Sequence, residues 1–389
     1  MIYLDNHATT PVDPRVSDRI RFYETHEFGN ASSIDHEWGD RAEAAVSHAA
    51  QQVADLIGAS PNAIIWTSGS TESLNLAIQG TIKATIKTTG RSGILPRVAI
   101  TAVEHKAVLD TCHALQAAGR IELVEIPVDA HARIDLNQLD QICGSDLHLL
   151  CIMAANNEVG TVYPIEKISA IAQQHQIPFL CDGSQAVGKV PIRFDEWGIT
   201  MLALSGHKLY GPKGVGALVV KREHRLEPLM YGGDQQHGLR PGTLNVSGIV
   251  GLGEACRLRA IEMEDDEHVI EKKRDRLQHL LIEKIPGLIV NGNPDHRLAG
   301  NLHVSIPGIP NTAVIARVRH QLAISTGSAC SSGVEAPSHV LQAMNLSEDM
   351  VEGALRISIG KFTTDDEIDR AAETLNSTVK NIKVAMQES

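Results

Sequence analysis

The pattern of apolar positions predicts alternating helices and strands between about residues 41 and 220. In residues 41–58 apolar side chains recur at spacings of three and four, which predicts an amphipathic helix that ends at Gly58. Seven short apolar runs follow, at residues 63–66, 98–101, 121–126, 147–153, 177–181, 201–204 and 215–220. Continuous apolar runs suit strands buried on both faces, and the helical segments between several of them suit right-handed crossovers. We therefore expect an α/β fold whose large domain holds a mostly parallel, seven-stranded sheet.

The pattern changes after Gly253, where long charged helical segments begin. Residues 266–285 carry their apolar side chains on one side of a helix. Three further strand candidates follow, at residues 301–306, 321–324 and 355–359, and a terminal helix begins at about Asp365. This mixture predicts a smaller α+β domain. No linker rich in Pro, Ser or Gly separates the two regions, so we expect the domains to pack closely.

Composition and charge exclude several classes of function. Of the 389 residues 43% are hydrophobic and 21% charged, which is typical of a folded protein. The net charge of −12 and the few aromatic residues (Phe 5, Tyr 5, Trp 3) disfavour direct binding of nucleic acid or of an anionic membrane. No apolar run approaches ~20 residues, and the first residues lack the features of a signal peptide. We expect a cytoplasmic protein.

The turns after the strands are the candidate sites, because ligands of open α/β sheets bind beyond the carboxyl ends of strands. At residues 66–73 a strand runs through Gly69 into a helix that begins near Thr71. Hydroxyl side chains and free N–H groups at a helix N-terminus suit a phosphate group. Ser70 or Thr71 could equally be an ordinary helix cap. The residues alone leave both interpretations open.

Two charged residues follow apolar strands. Asp182 ends the run at 177–181, and a carboxylate there needs a partner such as a protonated pyridine nitrogen, unless it caps the next segment. Lys208 follows the run at 201–204, where desolvation can lower its pKa and make it a Schiff-base nucleophile. The glycines of residues 211–216 match no dinucleotide or P-loop pattern, which gives no support for nicotinamide or ATP binding.

The six cysteines form no CxxC pair and are too few for a disulfide framework. Cys330 lies among small polar residues at 324–337, so we expect an accessible, mobile and nucleophilic thiol. The other cysteines are Cys112, Cys151, Cys181 and Cys256, which fit ordinary buried positions, and Cys143, which is undecided. The 18 histidines show no metal-ligand spacing, so we expect no metal site.

Four candidate features occur in one chain: a phosphate-binding turn, an acid for a ring nitrogen, a Schiff-base lysine and a loop cysteine. Together they are typical of a pyridoxal-phosphate enzyme that passes a group to a thiol. The sequence resembles the cysteine desulfurases of the NifS/IscS-like group, in the class V aminotransferase family. The motifs that carry the resemblance are residues 3–11 (YLDNHATTP), 67–73 (TSGSTES), 104–106 (EHK), 156–160 (NNEVG), 182–185 (DGSQ), 205–214 (SGHKLYGPKG), 240–243 (RPGT), 325–330 (STGSAC) and 356–360 (RISIG). They cover nearly the whole chain. The resemblance implies fold type I of the pyridoxal-phosphate enzymes and a homodimer.

The resemblance also implies a role for each matching residue. Lys208 is implied as the Schiff-base lysine, Cys330 as the nucleophile that becomes a persulfide, and His105 as the residue that stacks on the pyridine ring and shuttles protons. Asp182 is implied to pair with the ring nitrogen and Gln185 to bond the phenolic oxygen. The implied phosphate ligands are Ser70, Thr71, Ser205 and His207, with Thr243 supplied by the neighbouring subunit. Asn157 and Arg356 are implied to hold the substrate carboxylate, which suits a guanidinium fork.

The implied reaction removes sulfur from L-cysteine, gives L-alanine, and passes the Cys330 persulfide to an acceptor protein for iron–sulfur cluster assembly, tRNA thiolation or DNA phosphorothioation. Selenocysteine lysis or another class V reaction is the alternative. We expect a large domain of residues 16–260 and a small, discontinuous domain of residues 1–15 and 261–389.

Two departures from the family pattern bear on these expectations. Residues 28–36 read FGNASSIDH, without the usual proline and with one extra residue before the histidine, so we expect a different loop near the substrate mouth. The chain ends at Ser389 without the tail that housekeeping members use for their iron–sulfur scaffold, which favours another acceptor.

Overall fold

A computed structural model gives the fold of residues 1–89, 95–144, 146–327 and 337–388. The strands, in chain order, are β1 (Ile2–Tyr3), β2 (Ile64–Thr67), β3 (Arg97–Thr101), β4 (Glu122–Ile126), β5 (Leu147–Met153), β6 (Phe179–Asp182), β7 (Met201–Ser205), β8 (Gly216–Val220), β9 (Ile289–Val290), β10 (Asn301–Ser305), β11 (Leu322–Ala323) and β12 (Ala354–Ser358). The α-helices are α1 (Pro14–Thr25), α2 (Glu37–Ile57), α3 (Ser70–Thr89), α4 (Lys106–Ala117), α5 (Leu136–Cys143), α6 (Ile165–Gln174), α7 (Val246–Lys284), α8 (Asn311–Val318), α9 (His339–Ala343), α10 (Glu348–Glu352) and α11 (Asp365–Gln387).

A seven-stranded sheet lies at the centre, in the order β2-β8-β7-β6-β5-β3-β4. Strand β8 is antiparallel to both of its neighbours, and the other pairs are parallel. The apolar runs have no polar alternation because helices cover both faces. Leu149 and Cys151 of β5 face a core with α3 and α4, whereas Leu150 and Ile152 face a core with α2, α5 and α6. The predicted α/β class and the mostly parallel sheet are confirmed.

A single helix, α7, runs across the change of pattern at Gly253. It runs without interruption for 39 residues. Its glycines serve close packing rather than termination: a Cβ at Gly253 would lie 2.7 Å from Cα of Ala49 in α2, and one at Gly251 would lie 2.6 Å from the Ile20 side chain in α1. The first half of α7 thereby packs against α1 and α2 beside the large sheet.

A second core lies around the antiparallel sheet β12-β10-β9 and the parallel pair β1-β11. Apolar side chains of α8, α11 and the second half of α7 pack there with Ile2 and Leu4 from the start of the chain. Val340, Leu341 and Met344 instead join the core of the large sheet. The domain bounds themselves stay a prediction. In the described ranges no helix combines the length and apolar character needed to cross a membrane.

Candidate active site

A cavity of about 710 Å³ lies where several parallel strands of the large sheet end. Its walls bring together the predicted residues of the site: Ser70, Thr71, His105, Asn157, Asp182, Gln185, Ser205, His207, Lys208 and Arg356. Thr243 is exposed and does not line this cavity, in keeping with its implied role in a neighbouring subunit, which stays a prediction. Cys330 lies outside the described residues.

The turn between β2 and α3 forms one end of the cavity. Helix α3 begins at Ser70, so Ser70 and Thr71 lie in its first turn and neither is the preceding cap residue. N–H groups of a first turn have no partner within the helix and attract anions. Gly69, the residue before this helix, has a φ of +150°, a conformation that disfavours residues with a side chain. The hydroxyls of Ser70 and Ser184 are 2.7 Å apart. Because the single Ser184 hydroxyl proton is donated to Asp182, Ser70 is the donor in this contact.

Asp182, at the end of β6, is buried with 6% exposure. Its Oδ1 accepts hydrogen bonds from the Ser184 N–H, at 2.9 Å, and from the Ser184 hydroxyl. The capping interpretation is therefore correct for this oxygen. Oδ2 has no hydrogen-bond partner among the described residues and is available for a protonated ring nitrogen. The two interpretations of Asp182 are compatible.

The Lys208 ammonium lies in a short 3₁₀ turn that follows β7. Nζ donates to the main-chain carbonyls of His7, at 2.6 Å, and Ala8, at 2.8 Å. Burial, aided by the Arg356 charge, lowers the pKa of Lys208 to about 8. Roughly a tenth of this amine is therefore unprotonated at pH 7, and only the free amine forms a Schiff base.

The neighbouring His207 contacts the same N-terminal segment. Its Nδ1 lies 3.1 Å from Thr9 Oγ1. Burial, and then the charge of Lys208, lowers the pKa of His207 to about 4, so its ring is neutral at pH 7. A neutral imidazole keeps one N–H donor for a phosphate oxygen.

His105 precedes α4 and lines the cavity. Its Nδ1 accepts a hydrogen bond from the Ala107 N–H at 3.1 Å. A nitrogen that accepts carries no proton, so the ring is neutral with its proton on Nε2. The helix terminus thereby fixes the tautomer of a residue predicted to stack on the pyridine ring.

Arg356 lies in β12 and is 6% exposed. Nη1 donates to the main-chain carbonyl of Asn157 at 3.1 Å, and Nη2 donates to Asp5 Oδ1 at 2.9 Å. Its buried Nε has no partner among the described residues. Unmatched donors on a guanidinium fit a bidentate carboxylate.

The comparisons with known proteins cover almost the entire chain. Residues 2–371 match the family "Aminotransferase class-V". A relative from Arabidopsis thaliana, "Cysteine desulfurase, mitochondrial", is 44% identical over 98% of this chain and 82% of its own length. The chain belongs to the class-V aminotransferase family, within its cysteine desulfurases. The predicted enzyme class and its pyridoxal-phosphate cofactor are thereby confirmed.

Solved structures of related proteins have the same fold. A structure titled "NIFS-LIKE PROTEIN" superposes with a TM-score of 0.89 at 31% identity and covers 97% of this chain and 99% of its own. Another, titled "SspA in complex with cysteine", gives a TM-score of 0.80 at 33% identity, with 94% and 100% covered. This cysteine desulfurase therefore shares its fold, including the mostly parallel sheet, with these relatives.

The cavity of the desulfurase fits pyridoxal phosphate on its own chemistry. The first turn of α3, with Gly69 in a conformation that favours glycine, suits the phosphate. The unpartnered Asp182 oxygen suits a protonated pyridine nitrogen. Lys208 offers an amine of the kind that an aldehyde cofactor requires. One cavity therefore offers complementary donors and acceptors to the phosphate, the ring nitrogen and the aldehyde of the cofactor.

The cavity also has residues in or beside its walls for which the sequence indicated no role. Asp5, His7 and Thr9 line the cavity, and all belong to the motif at residues 3–11. Glu72 accepts a hydrogen bond from the Ser68 N–H at 2.7 Å and pairs with Arg240 at 2.8 Å, which braces the turn between β2 and α3. Their place in quoted motifs was the available signal.

All five cysteines that the structure describes are buried. The prediction is confirmed for Cys112, Cys151, Cys181 and Cys256, and Cys143 joins them at 3% exposure. Burial raises the pKa of Cys112 to about 12 and that of Cys143 to about 11. None of the five is suited to act as a thiolate at neutral pH.

Proposed function

We propose that this desulfurase takes sulfur from L-cysteine as a persulfide on Cys330 and passes it to an acceptor protein. The observation that supports the proposal best is one cavity that holds a lysine with a lowered pKa, a buried arginine with unmatched donors and a buried aspartate. These three groups correspond to an amine nucleophile, a carboxylate binder and a partner for a pyridinium.

Each residue of the site has a separate role that follows from its charge and position. Arg356 binds the substrate carboxylate through its fork and orients Cα toward Lys208. Lys208, as a free amine, takes the Cα proton, while Asp182 holds a proton on the ring nitrogen. Bound pyridoxal phosphate supplies the electron sink for the pair released at Cα. His105 carries a proton on Nε2 that it can deliver within the cavity.

In the sulfur step, an enzyme thiolate takes the sulfur atom of the substrate, and no external oxidant is needed. The Cys330 thiolate attacks the substrate sulfur, so that an S–S bond forms and the Cβ–S bond breaks. The electron pair of the broken bond stays with the carbon part, which takes up a proton and leaves as L-alanine. L-Cysteine and an enzyme thiol thus give L-alanine and an enzyme persulfide.

Incubation with L-cysteine and a thiol reductant tests this function. Wild type should release sulfide and alanine in equal amounts, and Cys330→Ala should release neither at a rate near wild type. Cys256→Ala, which removes a buried thiol, is the matched control and should keep its activity. Sulfide release by Cys330→Ala at the wild-type rate would show that the nucleophile is wrong.

The alternative substrate is selenocysteine. The related structure titled "SspA in complex with cysteine" favours L-cysteine as the substrate of this chain. Turnover of the two amino acids at equal concentration decides, and a strong preference for selenocysteine would favour lysis of that amino acid as the function.

We also propose a homodimer in which Thr243 reaches the partner's cavity. Thr243 is exposed and does not line the cavity of its own chain. Mixed dimers of Lys208→Ala and Thr243→Ala chains test this directly. If Thr243 acts across the interface, one site of each mixed dimer is fully wild type and activity returns on mixing. If it acts within its own chain, both sites stay defective.

The sulfur acceptor and the cytoplasmic location stay predictions. Radiolabelled sulfur, loaded from cysteine in cell extract, identifies the acceptor by the protein that becomes labelled. Label on an iron–sulfur scaffold alone would contradict the expectation of a different acceptor. The Arabidopsis relative carries the word mitochondrial in its own name.

A further inference from the structure

The side-chain amide of Gln185 is held from two sides. Its Oε1 accepts a hydrogen bond from Lys189 Nζ at 2.8 Å. Its Nε2 donates to the main-chain carbonyl of His7, also at 2.8 Å. Gln185 is 4% exposed and lines the cavity. Both ends of the amide are therefore fixed before any ligand binds.

The chemistry of the two contacts permits one orientation of the amide. Lys189 offers only donors, and the His7 carbonyl is only an acceptor. A flipped Gln185 would place its NH₂ group against the lysine and its oxygen against the carbonyl, so that both contacts would become repulsive. With the observed orientation, the second N–H of Nε2 is left for an acceptor in the cavity.

The position of Lys189 follows from the turn after β6. Gln185 and Lys189 are four residues apart in consecutive hydrogen-bonded turns, and Gly188 between them has a φ of +78°. Arg259 braces the turn, because its Nε donates to the Gly188 carbonyl at 2.7 Å. Arg259 also pairs with Glu267 at 2.9 Å.

We propose that Lys189 is a positioning residue for the cofactor, since it orients the Gln185 amide so that an N–H faces an anionic ring oxygen of bound pyridoxal phosphate. The inference rests on the contact between Gln185 and cofactor that the proposed function includes. Burial lowers the pKa of Lys189 to about 7; the neutral amine keeps N–H donors, and the His7 carbonyl, which only accepts, continues to select the same orientation.

Titration of cofactor-free protein with pyridoxal phosphate tests the role, with the visible absorbance band as a second readout. Lys189→Met should raise the dissociation constant about 10-fold, the size of one well-placed charged hydrogen bond, and shift the band. In a Gln185→Leu background the same change should have no further effect, because Lys189 acts through that amide. Lys361→Met is the matched control: this partly buried lysine pairs with Asp13 outside the cavity, and its loss should leave the dissociation constant unchanged.

A second variant separates the hydrogen bond from the charge and covers the case in which Lys189→Met folds poorly. Lys189→Gln offers an N–H donor without charge and should return the dissociation constant to within about 3-fold of wild type. A dissociation constant unchanged in Lys189→Met, or an effect of the same size with and without Gln185, would overturn the proposal. Cofactor binding is measured without turnover, so absence of sulfide release would count against the proposed function and not against this role of Lys189.

Discussion

Arg356 and Asp5 form an ion pair across the cavity wall, with 2.9 Å between Nη2 and Oδ1. The two residues are 351 positions apart in the sequence. Strand β12 and the segment after β1 therefore meet at the place where a substrate carboxylate is expected. The arginine side chain is 7% exposed and the aspartate 23%, so solvent and ligands reach the aspartate more easily.

Arg356→Lys should raise the KM for L-cysteine by about 10-fold or more and leave cofactor affinity unchanged. A lysine keeps the charge but loses the planar fork that holds a carboxylate by two hydrogen bonds. Rates of sulfide release over a range of cysteine concentrations give the KM. Arg276→Lys, which alters an exposed ion pair with Asp369, is the control and should behave as wild type. An unchanged KM in Arg356→Lys would remove Arg356 from the substrate site.

Gly69→Ala should weaken binding of pyridoxal phosphate by about 10-fold. At a φ of +150° a Cβ is strained, and it would lie 3.5 Å from Ser205 Oγ beside the phosphate turn. Gly119→Ala provides the control: φ is +64°, no atom lies within 4 Å of the added Cβ, and Gly119 is remote from the cavity. Both variants should lose ~1–2 kcal/mol of stability, but only the first should lose cofactor affinity. Equal cofactor affinity in the two would argue against phosphate binding at this turn.

The strands and the residues that follow them could be predicted because both are local properties of the sequence. A continuous run of apolar residues predicts a buried strand. Asp182 and Lys208 were identified because each is a charged residue that follows such a run. Family motifs then supplied roles for His105 and Gln185.

Contacts between distant segments could not be predicted in the same way. The bonds from Lys208 to the carbonyls of His7 and Ala8 use the main chain, which every residue possesses, so no residue type signals them. The packing of α7 against α2 is another such contact: glycine usually weakens a helix, whereas Gly253 is required by the close approach of Ala49. The partnership of Lys189 and Gln185 depends on the turn geometry that the fold imposes.

Short exposure of the native protein to iodoacetamide near neutral pH should add at most one group, at Cys330. The five cysteines in the described part of the chain are buried, and burial raises their pKa, so little thiolate forms. Intact mass after labelling measures the number of adducts. Cys330→Ala should remain unlabelled, and unfolding in urea should make its remaining thiols reactive. A fast adduct on native Cys330→Ala would contradict the assignment of one reactive thiol.

Glu104→Gln should flatten the pH dependence of stability between about pH 5 and pH 8. Burial raises the pKa of Glu104 from its ordinary value of 4.5 to about 8. The folded state therefore binds this proton over a range in which the unfolded state has released it, and stability falls as pH rises through that range. The loss in wild type should be on the order of 3 kcal/mol, since one pKa unit corresponds to about 1.4 kcal/mol.

The amide variant isolates the proton because it can keep both hydrogen bonds that Glu104 Oε1 accepts, from Thr101 Oγ1 at 2.8 Å and from the Met153 N–H at 2.9 Å. Urea unfolding of cofactor-free protein near pH 5.5 and pH 8 gives the two free energies for each protein. Glu24→Gln, at an exposed position in α1, should retain the wild-type pH dependence. If Glu104→Gln loses as much stability as wild type over this interval, Glu104 is ionised throughout and another group carries the dependence.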